Sequence, residues 1–272
     1  MKTLIVLFFF NMLFINSISA QSFSGEVICN TTHNTVAYVN IGIMGKGIGT
    51  VSGPDGRYSL DIDHHYEMDT LMFSCIGYHP FKTTVGDFMK LEQHNAVLEQ
   101  RIIELAEVVV RPSVIRKRTL GNTTRSKSVK AGFKENQLGY EMGVLIKIKR
   151  PSFIEKVNIN IATSSYDTLF YRLNIYKVTD GNSYQNILVS PVYLEFPADK
   201  LSETIEVDFT HYNIRVFNDF LITLEHVRDL GPGHLHFSAG LRGRTHYRKT
   251  SQAKWDSIPV GVGVSVDVLE EK

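Results

Sequence analysis

The run His64-His65-Tyr66-Glu67 holds the sharpest chemistry in the sequence. Read as H-x-x-E, it offers an imidazole nitrogen and a carboxylate three residues apart, the paired donors of a hydrolytic zinc site. A third ligand would come from His226, His234 or His236, because "GHLHF" sets two histidines on one face of a strand. The pattern is four letters wide and arises readily by chance in a chain with 10 histidines. Nucleophilic arrangements are weaker. There is no G-x-S-x-G elbow, and neither Cys29 nor Cys75 has a basic neighbour in sequence to lower its pKa. The carboxylate pairs Glu203 with Glu206 and Asp61 with Asp63 fall at strand edges, where charge meets solvent, although a glycosidase pair need not be close in sequence. The residues therefore point away from an enzyme, and no metal or cofactor is expected.

Binding chemistry is concentrated near the C-terminus. From Thr245 to Trp255 aromatic, cationic and amide side chains are interleaved. Tyr247 and Trp255, the only tryptophan, would stack on sugar faces while Arg248 and Gln252 bond hydroxyls. The plainer reading is a loop whose aromatics anchor it to its own domain. Arg172 and Tyr176, on the polar side of "LFYRLNIYKV", would extend such a site or simply meet water.

The elements that must position these residues are β-strands. "SGEVICN", "AYVNIGIM", "GRYSLDI", "DTLMFSCI", "HPFKTTV" and "NAVLEQ" alternate or run apolar between clusters of turn residues, the pattern of a sandwich. The stretch "GTVSGPDGRYSL" looks like a phosphate cradle, yet it leads into a strand rather than a helix and lacks the Walker spacing. Gly53-Pro54-Asp55-Gly56 is the chemistry of a tight reversal, and the stretch reads as a hairpin. Beyond it, Val157, Ile159 and Ile161 share one side of a strand, as do Ile205, Val207 and Phe209. Val260, Val262, Val264, Val266 and Val268 share one side of the last strand. A strict period of two buries one face and exposes the other. Eight or nine strands are expected in this second half, enough for a jelly-roll-like sandwich. The fold class is thus all-β, with two β-sandwich domains after a leader.

That leader is Lys2 followed by "TLIVLFFFNMLFI" and "NSISA", a short positive region, an apolar stretch and a small-residue exit. Cleavage after Ala20 is expected. The apolar stretch falls short of the roughly 20 residues needed to span a bilayer, and no later segment is long and apolar enough to cross as a helix. Without Lys2 the chain holds 28 basic and 28 acidic residues, a balance that argues against nucleic acid as a partner. Eight basic residues and no acid stand between Arg111 and Lys134: Arg111, Arg116, Lys117, Arg118, Arg125, Lys127, Lys130 and Lys134. They read as a solvated tether, or else as a patch for an acidic surface. The expected division is a signal peptide over 1–20, a first sandwich over 21–110, a basic linker over 111–134 and a second sandwich over 135–272. Cys29 and Cys75 fall in strands of the first sandwich. Two small buried thiols are favoured over a bridge, which export would permit.

The order of the first-half motifs resembles a known family. "FSGEV", "AYVNIGI", "GTVSGPDGRYSL" and "DTLMFSCIGY" succeed one another as in the carboxypeptidase-like regulatory domain, with Gly49, Thr50, Gly56, Leu71, Phe73, Ile76, Gly77 and Tyr78 in the family's order and spacing. The resemblance covers about a third of the chain, from Ser22 to Val110. It implies a transthyretin-like sandwich of seven strands, found at the end of zinc carboxypeptidases and at the front of TonB-dependent outer-membrane receptors. "ELAEVVVRP", Glu104 to Pro112, resembles the segment that closes this domain before a receptor plug. The residues that follow are too few for a plug and a 22-stranded barrel at about ten residues per strand. The resemblance therefore implies a non-catalytic exported protein of the periplasm or outer-membrane surface. It would act as an interaction or accessory module with envelope or outer-membrane protein partners. A glycan-binding protein is the alternative, and a metal-dependent hydrolase the third reading.

Overall fold

The computed structural model describes residues 20–101, 115–179 and 183–271. The leader up to residue 19 and the closing segment from Glu104 to Pro112, with Arg111 in it, lie outside the described residues.

Seven strands build the first half: β1 (Ala20–Cys29), β2 (Asn40–Ile43), β3 (Ile48–Val51), β4 (Arg57–Asp63), β5 (Thr70–Ser74), β6 (Phe81–Thr84) and β7 (Ala96–Leu98). They form a three-stranded sheet, β4-β1-β7, facing a four-stranded one, β3-β2-β5-β6. Alternation drives the packing. Tyr58, Leu60 and Ile62 of β4 turn inward while Arg57, Ser59 and Asp61 meet water. Phe23, Ile41, Phe73 and Phe88 fill the space between the sheets. One short helix, α1 (Val85–Met89), was not expected from periodicity. Thr84 caps it by accepting from the Asp87 amide, the local signal that marks such a start.

The Gly53–Gly56 reversal forms, with the Gly56 amide donating to the Gly53 carbonyl at 3.0 Å and Gly56 at φ +78°. It is not a hairpin, because β3 and β4 belong to different sheets. The turn carries the chain across the sandwich. The hairpin is β2–β3, turned at Met44–Gly47 with Gly45 and Gly47 both at φ +73°.

Fifteen described strands follow, more than the eight or nine expected. They are β8 (Ile115–Gly121), β9 (Lys130–Phe133), β10 (Glu141–Ile146), β11 (Ser152–Ser164), β12 (Thr168–Thr179), β13 (Ser183–Asn186), β14 (Val192–Pro197) and β15 (Thr204–Asp208). Then come β16 (Arg215–Val216), β17 (Phe220–His226), β18 (Leu235–Gly240), β19 (Thr245–Arg248), β20 (Asp256–Ile258), β21 (Gly261–Val262) and β22 (Val264–Glu271). One sheet of seven runs β13-β12-β17-β10-β19-β20 with β14 beside β12. The other, of eight, is built around β18-β11-β22-β8. Val157, Ile159, Val262, Val264, Val266 and Val268 lie in the core between them, as their spacing requires.

The basic stretch is only partly a tether. β8 carries Arg116, Lys117 and Arg118 and pairs antiparallel with β22, while β9 begins at Lys130 and pairs with β18. Both strands therefore belong to the second sandwich, although they precede residue 135, where it was expected to begin. Charge misled here because an edge strand shows most of its side chains to solvent, as a loop does.

Candidate functional site at the junction of the sandwiches

In the seven-stranded sheet, alternation sends every second residue away from the core. On β12 these are Arg172, Asn174 and Tyr176; on β17, Thr223 and Glu225; on β10, Glu141; on β19, Arg248. A face this polar ordinarily meets water, yet all seven residues are buried. The first sandwich covers part of it.

Arg172 crosses the junction. Its Nε and Nη2 donate to Glu225 Oε2 at 3.1 and 2.7 Å. Its Nη1 donates to the Tyr38 carbonyl at 2.7 Å and its Nη2 to Asn40 Oδ1 at 2.6 Å, both in the first sandwich. Arg248 Nη2 stands 2.7 Å from Glu141 Oε2 and 3.4 Å from Glu225 Oε1. Asn174 Nδ2 donates to both carboxylates at 2.8 Å, Tyr176 Oη donates to Glu141 at 2.9 Å, and Thr223 also donates to Glu141. Two guanidiniums thus balance two carboxylates with hydrogen bonds around them, which is how buried charge is tolerated.

The electrostatics separate the two acids. Burial pushes Glu225 upward, but Arg172 and Arg248 together outweigh it and hold the carboxyl below its usual range. Burial raises Glu141, the nearby Glu225 adds to the rise, and Arg248 offsets it only in part. Burial and the charge on Glu141 push the Tyr176 phenol well above its ordinary value.

Beside this network a cavity of about 470 Å³ opens between the sandwiches, lined by Cys75, Tyr78, Arg172, Tyr184, Asn186, Arg248 and Gln252 among others. Of the four residues singled out for binding, Arg248 and Gln252 line it. Trp255 adjoins it, its ring 5.3 Å from that of Tyr184 and 5.2 Å from the Arg248 guanidinium. Tyr247 faces the other way, stacked on Tyr140 at 6.2 Å and packed against the core.

The loop after β19 is committed to the first sandwich. Thr250 Oγ1 donates to the Gly49 carbonyl, the Gly45 amide to the Gln252 carbonyl, and Gln252 Nε2 to Ser74 Oγ, each at 2.8 Å. Glycines make room for it. A Cβ at Gly42 would stand 2.6 Å from the Ser251 carbonyl oxygen, and one at Gly49 closer still. A smaller apolar contact closes the junction, where Tyr38 and Val51 meet Phe170 and Val227. Gly49 of the family motif thus serves this clamp, while Thr50 pairs with Ile41 across the β2–β3 hairpin. Phe73 is core, Gly56 and Gly77 supply positive φ, and Tyr78 forms a bridge with Gln100.

The H-x-x-E residues do not meet the other histidines. His64 Nδ1 lies 3.2 Å from Glu67 Oε1 on an exposed 3-10 turn of the first sandwich. His226 is sealed in the second core, and His234 and His236 sit ring to ring at 4.6 Å. Among the described residues no three His, Cys, Asp or Glu side chains converge as a metal site. Cys29 and Cys75 are both free thiols. Glu141 and Glu225 escaped the sequence reading. The available signal was a lone carboxylate inside an apolar strand, as in "FLITLEHV", matched by a lone arginine in "LFYRLNIYKV".

A family model described as CarboxypepD_reg-like domain matches residues 23–110, a span that takes in nearly all of the seven-stranded sandwich. That sandwich is therefore a carboxypeptidase-regulatory-like module, and an all-β sandwich follows it. No curated protein matches the chain. Among solved structures, the infectious bursal disease virus VP2 subviral particle is similar at 10% identity and a TM-score of 0.17, a likeness too low to carry an argument. The alignment covers 93% of this chain and 65% of that one, so this chain spans less than two thirds of that relative's length. No helix among the described residues is long and apolar enough to cross a membrane.

Proposed function

We propose that the protein is a non-catalytic accessory module of the cell envelope, exported to the periplasm or the outer-membrane surface, whose two sandwiches work as one rigid interaction body. The observation that carries this reading is Arg172. Its guanidinium is buried against Glu225 and simultaneously bonded to Tyr38 and Asn40 of the regulatory-like module. Groups that would do acid–base work are instead neutralised by one another, and the relative orientation of the sandwiches is fixed. A rigid pair presents its outer loops in constant geometry, which suits recognition of a protein partner. Crosslinking in intact cells, followed by recovery from envelope fractions, is expected to capture envelope or outer-membrane proteins with the chain. Recovery of the chain alone at native abundance would overturn the reading.

A second reading is favoured by the position of Trp255, Arg248 and Gln252 around the junction cavity. A glycan entering there would meet the Tyr184 ring and the Asn186 and Gln252 amides. It predicts that oligosaccharides quench Trp255 fluorescence and that Trp255→Ala folds without binding. A flat response across a glycan array would remove it.

A further inference from the structure

A second cleft, of about 750 Å³, lies on the C-terminal sandwich where the ends of β8 and β10 meet the loop between β18 and β19. Its charged lining is Lys147, Arg242 and Arg244, joined by His246, and no Asp or Glu lines it. Several exposed cations of this sandwich have carboxylate partners: Lys127 with Glu203, Lys156 with Glu206, Arg215 with Glu271 and Arg228 with Glu195. Among the described residues, Lys147, Arg242 and Arg244 pair with no carboxylate.

The backbone is arranged to hold them there. Gly243, at φ +121°, separates the two arginines in a conformation that other residues rarely adopt. A Cβ on Gly261 would stand 3.0 Å from the Arg242 carbonyl and 2.9 Å from Asn122 Nδ2, so glycine lets the Arg242–Arg244 ribbon lie close against β21. Asn122 Nδ2 donates to the Gly261 carbonyl at 2.7 Å, and Arg244 Nη1 donates to Ser257 Oγ at 2.8 Å. His246 is held below its ordinary value, first by burial and then by the charge of Arg244.

We infer that this cleft binds a phosphorylated ligand. Three cations line one cleft with no carboxylate among its lining to offset them. A single carboxylate would leave two of them uncompensated, whereas a phosphate monoester or pyrophosphate brings two or more charges and oxygens that match the guanidinium fork. The volume exceeds what inorganic phosphate needs, so the phosphate is carried on a larger body, either a soluble phosphorylated molecule or a lipid headgroup.

Titration calorimetry of the full chain with pyrophosphate at low ionic strength tests this. Binding is expected to weaken about tenfold for each guanidinium removed, as loss of a charge-assisted hydrogen bond implies, in Arg242→Gln and in the Arg242→Gln, Arg244→Gln double variant. Lys147→Glu, on a different segment, gives an independent loss, and Lys117→Gln on β8 leaves binding unchanged. These side chains are exposed, so the variants keep the wild-type thermal midpoint. Co-sedimentation with phosphatidylcholine vesicles, with and without phosphatidic acid, separates the sources. Vesicle binding lost in the double variant assigns a headgroup, and pyrophosphate binding without vesicle binding assigns a soluble ligand. Binding to neither probe, or binding that the double variant and Lys147→Glu retain at wild-type strength, overturns the inference.

Discussion

The two faces of the seven-stranded sheet are made by the same strands and are both buried, yet they are built from opposite chemistry. Inward stand Leu173, Ile175, Ile222, Leu224 and Val144. Outward stand Arg172, Asn174, Glu225, Glu141 and Arg248. The inner face gains its stability from area removed from water, and a misfit there costs a cavity. The outer face gains little net stability, because desolvation offsets most of the attraction between its charges. What it supplies is direction: a guanidinium satisfied by Glu225, Asn40 and the Tyr38 carbonyl accepts one placement of the neighbouring sandwich. An apolar seam such as Tyr38 against Phe170 tolerates sliding far better.

Breaking the outer face is expected to have the largest effect. Arg172→Ala leaves Glu225 buried with its best partner gone and should cost about 3–5 kcal/mol by chemical denaturation. A loss under about 1 kcal/mol would mean that this face is solvated like a surface ion pair. Arg172→Met combined with Glu225→Leu should recover much of the loss while loosening the junction, read as faster proteolysis between the sandwiches. On the inner face, Leu173→Ala should cost about 2–5 kcal/mol through its cavity, with no change at the junction.

The cover over the outer face is tested more gently by Gly42→Ala. Its methyl group would press on the Ser251 carbonyl and should cost about 1–3 kcal/mol as overpacking. The smallest effect sharpens the comparison at its one exception. His226 sits on the inner side, ringed by Phe133, Tyr166 and Tyr171. Burial holds its imidazole below 6.5, so the folded state favours the neutral ring. Stability is then complete above pH 6.5 and falls as pH drops further, because the unfolded chain takes up the proton first. The thermal midpoint of His226→Phe should decline less than that of the wild type between that value and about pH 5. Equal slopes would show that His226 is not the group that titrates.

These contrasts explain what the sequence could and could not disclose. A period of two was enough to put Val157, Ile159 and the valines of β22 in the core, because both consequences of alternation hold there. The family motif likewise fixed the first sandwich through Phe73, Gly56 and Gly77. The same alternation in "LFYRLNIYKV" identified a polar face but not its cover, since the covering residues Tyr38 and Asn40 lie more than a hundred positions away. For that reason Arg248 and Gln252 read as ligand contacts, although Arg248 is paired with Glu141 and Glu225 and Gln252 fastens one sandwich to the other. The Gly53–Gly56 turn was legible as a reversal, but which sheets its flanking strands join depends on pairings that no local pattern specifies.

The placement of β8 at the rim of the eight-stranded sheet has one more consequence. Unpaired amides and carbonyls along such a rim invite a strand from another molecule to zip on, the first step toward insoluble stacks. Arg116, Lys117 and Arg118 line this one with exposed cations. An incoming copy of the same strand would bring like charge against like. The basic stretch thereby guards against self-assembly.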